Sequence, residues 1–324
     1  MKLPVARGPV SSALIDALAH DGRALPAADF SGADPLADED LQLSLFVCYE
    51  LHFRGWDDVP DGREWDPELL RFRAAAERPF EAALRALAGP VRPVQPRDVP
   101  AGLAAVVAAD DSPSLSGYLR GRATHEQFRE FVTHRSVYHL READPHTFAI
   151  PRLSGRAKAA LIEIQIDEYG GGRTDRMHQE LFTRTMRWFG LDTTYGAYVD
   201  AVPAPTLATN NVMALFGLHR RLRGALLGQL AAFEMTSSLP NRAYANGLRR
   251  LGGDADAARF YDEHVEADAV HEQIAAHDLC GSFAAAEPEL AGDVLFGARC
   301  ALAVDGLWAT GVLEAWAEGR SSLR

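Results

Sequence analysis

The spacing of acidic and histidine side chains in two segments constrains the fold more than any other feature of the chain. Residues 163–178 read EIQIDEYGGGRTDRMH, and residues 264–271 read HVEADAVH. His264, Asp268 and His271 stand at i, i+4 and i+7, so on an α-helix they share one stripe. One such stripe can direct three ligands at a metal site. A solvated charged face is the alternative for this stripe taken alone.

The glycine run at residues 170–172 separates two further candidate ligands, Glu168 and His178. On a continuous helix, residues ten apart would lie about 15 Å apart along the axis. Three consecutive glycines break or bend a helix, so each flanking helix can direct one ligand inward. Ser154 is the predicted N-cap of the first helix. An ordinary helix-loop-helix with charged ends is the alternative.

Glu142 and Glu234 add two more carboxylates on predicted helices. Together with the two segments above, they give four carboxylates and three imidazoles on separate helices. Mixed oxygen and nitrogen ligands accommodate both common oxidation states of iron. This inventory suits two iron ions better than any other common metal site.

The run EIQ-x-DEYGGG, the histidine ten residues after Glu168 and the H-x3-D-x2-H triplet resemble the heme-oxygenase-like diiron oxidases, often described only as iron-containing redox enzymes. The resemblance covers about residues 117–320. It implies an all-α, heme-oxygenase-like helical bundle, here with an N-terminal helical extension. As metal-binding and catalytic residues it implies Glu142, Glu168, His178, Glu234, His264, Asp268 and His271.

The same resemblance implies a chemistry. Two iron ions (Fe²⁺/Fe³⁺) would activate the co-substrate O2 through a peroxo-diiron(III) species, with electrons from an external donor. Glu168 resembles an extra carboxylate found in members that oxygenate nitrogen, so we expect N-oxygenation of a small amine or amino-acid-derived substrate in specialised metabolism. A diiron desaturase, lyase or C–C cleaving oxidase acting on an amino or fatty acid is the alternative. A non-enzymatic helical binding protein is the third hypothesis.

Other metal and cofactor classes need patterns that this sequence lacks. Ferritin-like diiron proteins use Glu-x-x-His twice, and no such pair occurs. A zinc peptidase needs His-Glu-x-x-His, whereas His271-Glu272 is followed by a histidine only at His277. A heme site has no use for so many inward carboxylates. No Gly-x-Gly-x-x-Gly follows a predicted strand, so a nucleotide-binding fold is not indicated.

Charge and composition restrict the classes of partner that the protein is expected to bind. The net charge of −12 argues against nucleic acid and against an anionic membrane surface, and it favours a small molecule. The three cysteines form no Cys-x-x-Cys, so neither a disulfide framework nor a thiolate site is indicated. The N-terminus lacks an apolar export segment, and we expect a cytoplasmic protein. The sequence leaves open whether the chain forms a homodimer.

The chain is expected to comprise an N-terminal helical region, 1–110, packed on a diiron core, 111–324. Within the first region, Glu50 and His52 stand at i, i+2 and would face different sides of a helix, so we interpret them as structural. Segment 254–280 carries few large apolar residues, and we expect metal to order it. Helical patterns are predicted over 38–53, 68–87, 124–142, 154–169, 175–189, 209–237, 240–251, 254–280 and 287–318.

Overall fold

In a computed structural model, which describes residues 1–20, 22–30, 34–91 and 93–324, all regular structure in those ranges is helical. The side chains of residues 268 and 269 are not described, so the expected ligand Asp268 is placed only by its backbone. The α-helices are α1 Pro9–Ala19, α2 Glu39–Glu50, α3 Pro67–Ala88, α4 Val99–Ala108, α5 Leu115–Gly121, α6 His125–His139, α7 Asp144–Thr147, α8 Gly155–Glu168, α9 His178–Trp188, α10 Ala204–Leu218, α11 Arg223–Arg250, α12 Ala255–Gln273, α13 Ser282–Ala286 and α14 Ala291–Ala317.

Helices α11 and α14 form the centre of the molecule and cross in close contact. A Cβ on Gly228 would lie 1.8 Å from the Val294 carbonyl oxygen, and a Cβ on Gly297 would lie 1.9 Å from that of Ala225. Only glycine permits this separation, because any side chain there would overlap the opposing backbone. The close crossing lets the remaining helices pack around one central pair.

The N-terminal helices share a hydrophobic cluster with this pair. Leu45 of α2, Phe80 of α3 and Leu103 of α4 are buried in the same cluster as Leu226 of α11 and Val294 of α14. Burying such side chains stabilises the fold by roughly 1.5–3 kcal/mol each. The two parts therefore share one hydrophobic cluster. The boundary between two regions at residue 110 remains a prediction. None of the described helices has the combined length and apolar character needed to cross a membrane.

Several predicted helix boundaries are wrong. The pattern over 209–237 is divided between α10 and α11, which are separated by a short 3-10 turn. Pro240, expected to start a new helix, lies inside α11. Buried residues such as Glu234 and Ala245 lie on both sides of this proline. Packing thus outweighs the cost of the missing backbone hydrogen bond.

Two further segments differ from a simple reading of their composition. Helix α4 begins within the Pro/Gly-rich stretch 89–102, because Pro100 stands in the first turn, where proline is tolerated. Segment 254–280 forms α12 and then the π-helix Ile274–Gly281. Phe260 and Tyr261 are fully buried, so the expected shortage of apolar contacts is wrong for the first half of α12.

The glycine run breaks the chain between α8 and α9 as predicted. Gly170, Gly171 and Gly172 have φ values of 61°, 61° and 78°, in the left-handed region. Ser154 occupies the predicted N-cap position of α8, although its side chain makes no capping hydrogen bond. The turn reverses the chain so that the end of α8 and the start of α9 face each other.

Gly170 and Gly171 allow a matched test of this turn. A Cβ on Gly170 would lie 2.5 Å from the Arg176 carbonyl carbon, whereas one on Gly171 meets no described atom within 4 Å. We expect Gly171→Ala to lower the free energy of unfolding by about 1 kcal/mol through left-handed strain alone. Gly170→Ala adds a backbone clash and should cost roughly 3 kcal/mol. Urea denaturation measures both, and equal losses would contradict the role given to the close contact.

Candidate metal centre

Six of the seven predicted ligands have described side chains, and all six lie in two adjoining buried clusters. Glu142, Glu168, His178 and His264 form the first cluster, in which one potential ligand atom per residue lies within 4.8 Å of each of the others. By the same measure, the second cluster comprises Glu168, Glu234 and His271. Glu168 belongs to both. The fold thus produces two potential metal positions with one carboxylate between them.

The first cluster is held by close contacts between imidazoles and carboxylates. His178 Nδ1 lies 3.1 Å from Glu168 Oε2 and 3.9 Å from Glu142 Oε1. His264 Nε2 lies 3.4 Å from the same Glu142 oxygen. The two imidazole rings have their centroids 4.3 Å apart. These separations allow one cation to contact several of the atoms at once.

In the second cluster, His271 Nδ1 lies 3.4 Å from Glu234 Oε2. The opposite ring nitrogen, Nε2, lies 2.9 Å from Asp167 Oδ2 on α8. A carboxylate on the distal nitrogen of an imidazole fixes the ring and directs the other nitrogen at a metal. Asp167 lies inside the run 163–178, but the sequence indicated no role for it. Its contact partner, His271 on α12, is 104 residues away along the chain.

Glu142 stands in a turn beyond α6, not on the helix that the sequence predicted up to residue 142. This turn directs the side chains of Arg141 and Glu142 to opposite sides of the chain. Arg141 is fully buried and donates from Nη1 to Glu50 Oε2 at 2.8 Å, and Tyr195 donates to the same oxygen at 2.9 Å. Glu142 extends toward the clusters. Anchoring Arg141 in the N-terminal region therefore positions a predicted ligand.

His139 is a residue that sequence reasoning missed. It lies on the last turn of α6, and its Nδ1 makes a short hydrogen bond with Glu142 Oε2. Its ring packs against Phe182 and Phe260, with centroids 4.7 Å and 4.6 Å away. The spacing of three residues between His139 and Glu142 could have indicated this contact from the sequence. The bond leaves the other oxygen, Glu142 Oε1, directed at His264 and His178.

His264 is oriented by the backbone of its own helix. Its Nδ1 lies 2.8 Å from the Phe260 carbonyl oxygen, an acceptor, so Nδ1 is the donor and carries the proton. In the neutral ring, Nε2 then keeps its lone pair and faces Glu142. This is the arrangement in which an imidazole binds a metal.

Buried polar atoms provide a test of whether the site suits a cation. Among the described residues, Glu142 Oε1, Glu168 Oε2 and His178 Nδ1 are buried and make no hydrogen bond of normal geometry, although His178 Nδ1 and Glu168 Oε2 lie 3.1 Å apart. Leaving a buried polar group unsatisfied costs about 1–3 kcal/mol, and more for a charged one. A metal ion satisfies all three atoms together. The carboxylate and imidazole donors are also a set that suits iron.

The electrostatics of the centre show how strongly the acidic groups act on the imidazoles. Burial raises the pKa of Glu142, but His139 and His264 together outweigh burial and hold it below its usual range. Burial lowers the pKa of His178, but Glu168 outweighs it, and the net shift is upward. Burial also lowers the pKa of His271, but Glu234 and Asp167 raise it to about 9. At His271, metal binding therefore competes with protonation of the ring.

A cavity of about 330 Å³ opens beside the centre. It is in contact with predicted ligands from both clusters at one end. Its remaining wall comes mainly from α6, α8, α11 and α14, with contributions from α5 and α7, and mixes aromatic with polar side chains. A volume of this order fits a small organic molecule. The residues of the wall include Arg135, Tyr138, His146, Gln165, Phe233, Asn241, Tyr244, Asp305 and Trp308.

The chain is similar in sequence to a curated protein and to a known family. A nitrosourea synthase from Streptomyces achromogenes subsp. streptozoticus is 28% identical over 169 residues, which are 52% of this chain and 36% of that protein. The chain therefore spans about a third of the length of this relative.

A family described as iron-containing redox enzymes matches residues 129–306, a range that includes all seven predicted ligands. The match and the all-helical structure confirm the expected all-α, heme-oxygenase-like fold. Because the match covers more than half of the chain, the protein belongs to the family of iron-containing redox enzymes.

Proposed function

We propose that the protein is a non-heme diiron oxygenase that transfers oxygen from O2 to the nitrogen of a small amine or amino-acid-derived molecule in specialised metabolism. The observation that carries the proposal is the position of Glu168 in both ligand clusters. A carboxylate shared by two adjoining sites suits a ligand that bridges two metal ions. Membership in the iron family supports iron as the metal.

Two ferrous ions held there would supply the electrons that activate O2. The chain itself holds and shields the site. Phe182, Phe260 and His139 pack against one another beside the first cluster and give it one apolar wall. Electrons for repeated turnover would come from an external reductant, which we propose as a partner together with the small-molecule substrate.

Gln165 favours an amine as the substrate. Its Nε2 donates to the Ala143 carbonyl oxygen at 3.2 Å, which fixes the direction of the carboxamide. Gln165 lines the cavity beside Glu168, and its Oε1 is buried with no partner among the described residues. A carboxamide oxygen accepts an N–H group of a ligand. The name of the nitrosourea synthase, which refers to a product with an oxygenated nitrogen, also supports nitrogen as the reacting atom.

The iron content of the protein tests the assignment of the metal ligands. Anaerobic loading with ferrous ion should give about two irons per chain, as expected for a carboxylate-bridged pair. His264→Ala and His271→Ala should each lower that number, because each variant loses a nitrogen ligand. His277→Ala is the matched control, since His277 follows α12 but is exposed. Iron analysis by mass spectrometry measures all four proteins. Full iron content in both ligand variants would contradict the assignment.

The second prediction concerns the order of α12. Its first half is anchored by buried Phe260 and Tyr261, whereas Val270, next to His271, is 60% exposed. We expect iron to increase the protection of amides near His271 more than of those near Phe260, because metal contacts replace the missing packing. Hydrogen exchange of the iron-free and diferrous proteins measures both regions. Equal protection of the His271 region in the two forms would show that packing alone orders it.

The third prediction separates oxygenation from oxidation. With ¹⁸O-labelled dioxygen and an amine that is turned over, the product should contain labelled oxygen bound to nitrogen. Mass spectrometry of the product makes the measurement. A product that has lost hydrogen or carbon and contains no label would support the desaturase or C–C cleaving alternative instead.

A further inference from the structure

The second cluster approaches the protein surface at the contact between Asp167 and His271. The side chains of the six described ligand candidates are at most 10% exposed. Asp167, which lies 2.9 Å from His271 Nε2, is 58% exposed. A single side chain therefore separates a ligand candidate from solvent. Orienting the imidazole ring would not require this carboxylate to be exposed.

Exposed apolar side chains flank this contact. Ile166 precedes Asp167 and is 53% exposed, and Val270 precedes His271 and is 60% exposed. Consecutive Cα atoms are about 3.8 Å apart, so both apolar residues lie beside the contact. Ile162, one helical turn before Ile166, is 36% exposed. We call the surface of Ile162, Ile166, Asp167 and Val270 the α8–α12 face.

The chain around the α8–α12 face is acidic. Segments 159–172 and 260–298 contain no Lys or Arg, whereas they contain three and nine acidic residues. Glu163 and Glu266 are exposed, and each stands one helical turn before a residue of the face. Complementary charge guides partners to a surface. The face therefore fits a partner that presents positive charge around an apolar centre.

We propose that the α8–α12 face binds a one-electron carrier protein whose redox group is surrounded by positive charge, and that electrons enter the second cluster there through Asp167 and His271. This rests on the proposed function, which needs two electrons per turnover. Two carriers each lose one electron and return two ferric ions to the ferrous state, and no bond in the protein is made or broken. Electron-transfer complexes are small and weak, so a limited face suffices.

Electron transfer in the reverse direction provides a direct test. The full chain is loaded with ferrous ion under argon and mixed with ferricytochrome c, a basic heme protein that accepts one electron. Absorbance of the reduced heme gives the rate and the number of electrons transferred, without O2 and without substrate. We expect two hemes to be reduced for each pair of irons. The rate should fall as ionic strength rises, because salt screens the attraction.

Charge-reversal variants locate the place of transfer. Glu163→Lys and Glu266→Lys should each slow the reaction about tenfold at low ionic strength, because attraction at the contact becomes repulsion. Glu126→Lys is the matched control. It changes the net charge equally, Glu126 is 66% exposed, and it precedes His139 by about 20 Å along α6. The control should change the rate less than about twofold. Glu163→Gln serves if the lysine variant loses iron.

The apolar part of the face has its own variant. Ile166→Ser should slow the transfer about threefold or more, because the apolar centre of the contact is lost. Leu307→Ser, at an apolar residue of α14 that is 45% exposed, is the control and should leave the rate unchanged. Sedimentation of the same proteins tests a second copy of the chain as the occupant. A dimer that Ile166→Ser dissociates would make the face an interface between copies and overturn the proposal.

Two kinetic outcomes would also overturn it: equal slowing by Glu126→Lys and the face variants, or unchanged rates in the face variants. If fewer than two irons bind, calorimetric binding of ferricytochrome c to the same variants gives the ranking instead. If the variants behave as expected but no labelled oxygen enters a product, then the docking face stands and the oxygenase function fails. If label enters a product while electron transfer ignores Glu163 and Glu266, then the reverse holds.

Discussion

The convergence of buried carboxylates is the constraint on which the rest of the structure depends. Glu142 and Glu234 each place an oxygen within 4.8 Å of one on Glu168. Two like charges about 4 Å apart repel by about 4 kcal/mol at an effective dielectric constant of 20, and burial removes the water that would stabilise each charge. Imidazoles offset part of this repulsion, since the pKa values of His178 and His271 are raised by the same carboxylates. Iron bound there would complete the compensation, and the site and its metal would then be parts of one electrostatic balance.

Holding these groups together requires anchors far from the centre in the sequence. Glu142 is directed inward because its neighbour Arg141 is tied to Glu50, 91 residues earlier. This contact gives the N-terminal region a role at the site, and it agrees with the structural role expected for Glu50. Glu168 approaches His178 only because the turn at Gly170 reverses the chain. The ligands are therefore positioned by long-range packing, and local helix formation supplies only their spacing.

This difference explains how much the sequence could predict. The periodic features were local: the helix carrying His264 and His271 and the break at the glycines both occur where expected, because 3.6-residue periodicity and left-handed φ depend on few residues. The expectation that one stripe serves one metal site is wrong for these two histidines, because they belong to different clusters. The end of α6 was missed because the turn at Glu142 depends on contacts with another part of the chain. The role of Asp167 and the cavity around Arg135 were missed for the same reason. Such features depend on which helices meet, and a pattern along one helix does not contain that information.

The two ends of α12 are held by different kinds of contact. Near Phe260, aromatic contacts fix the helix and, through a backbone carbonyl, the ring of His264. Around His271 there are fewer apolar contacts. Its ring contacts the carboxylates of Asp167 on α8 and Glu234 on α11. Replacing apolar packing with polar contacts lowers the local cost of opening, because less hydrophobic surface is exposed. The first cluster is thus largely held by packing, whereas the second would gain rigidity from a bound ion. Such a centre would have one position fixed by packing and a second position whose ligands can move.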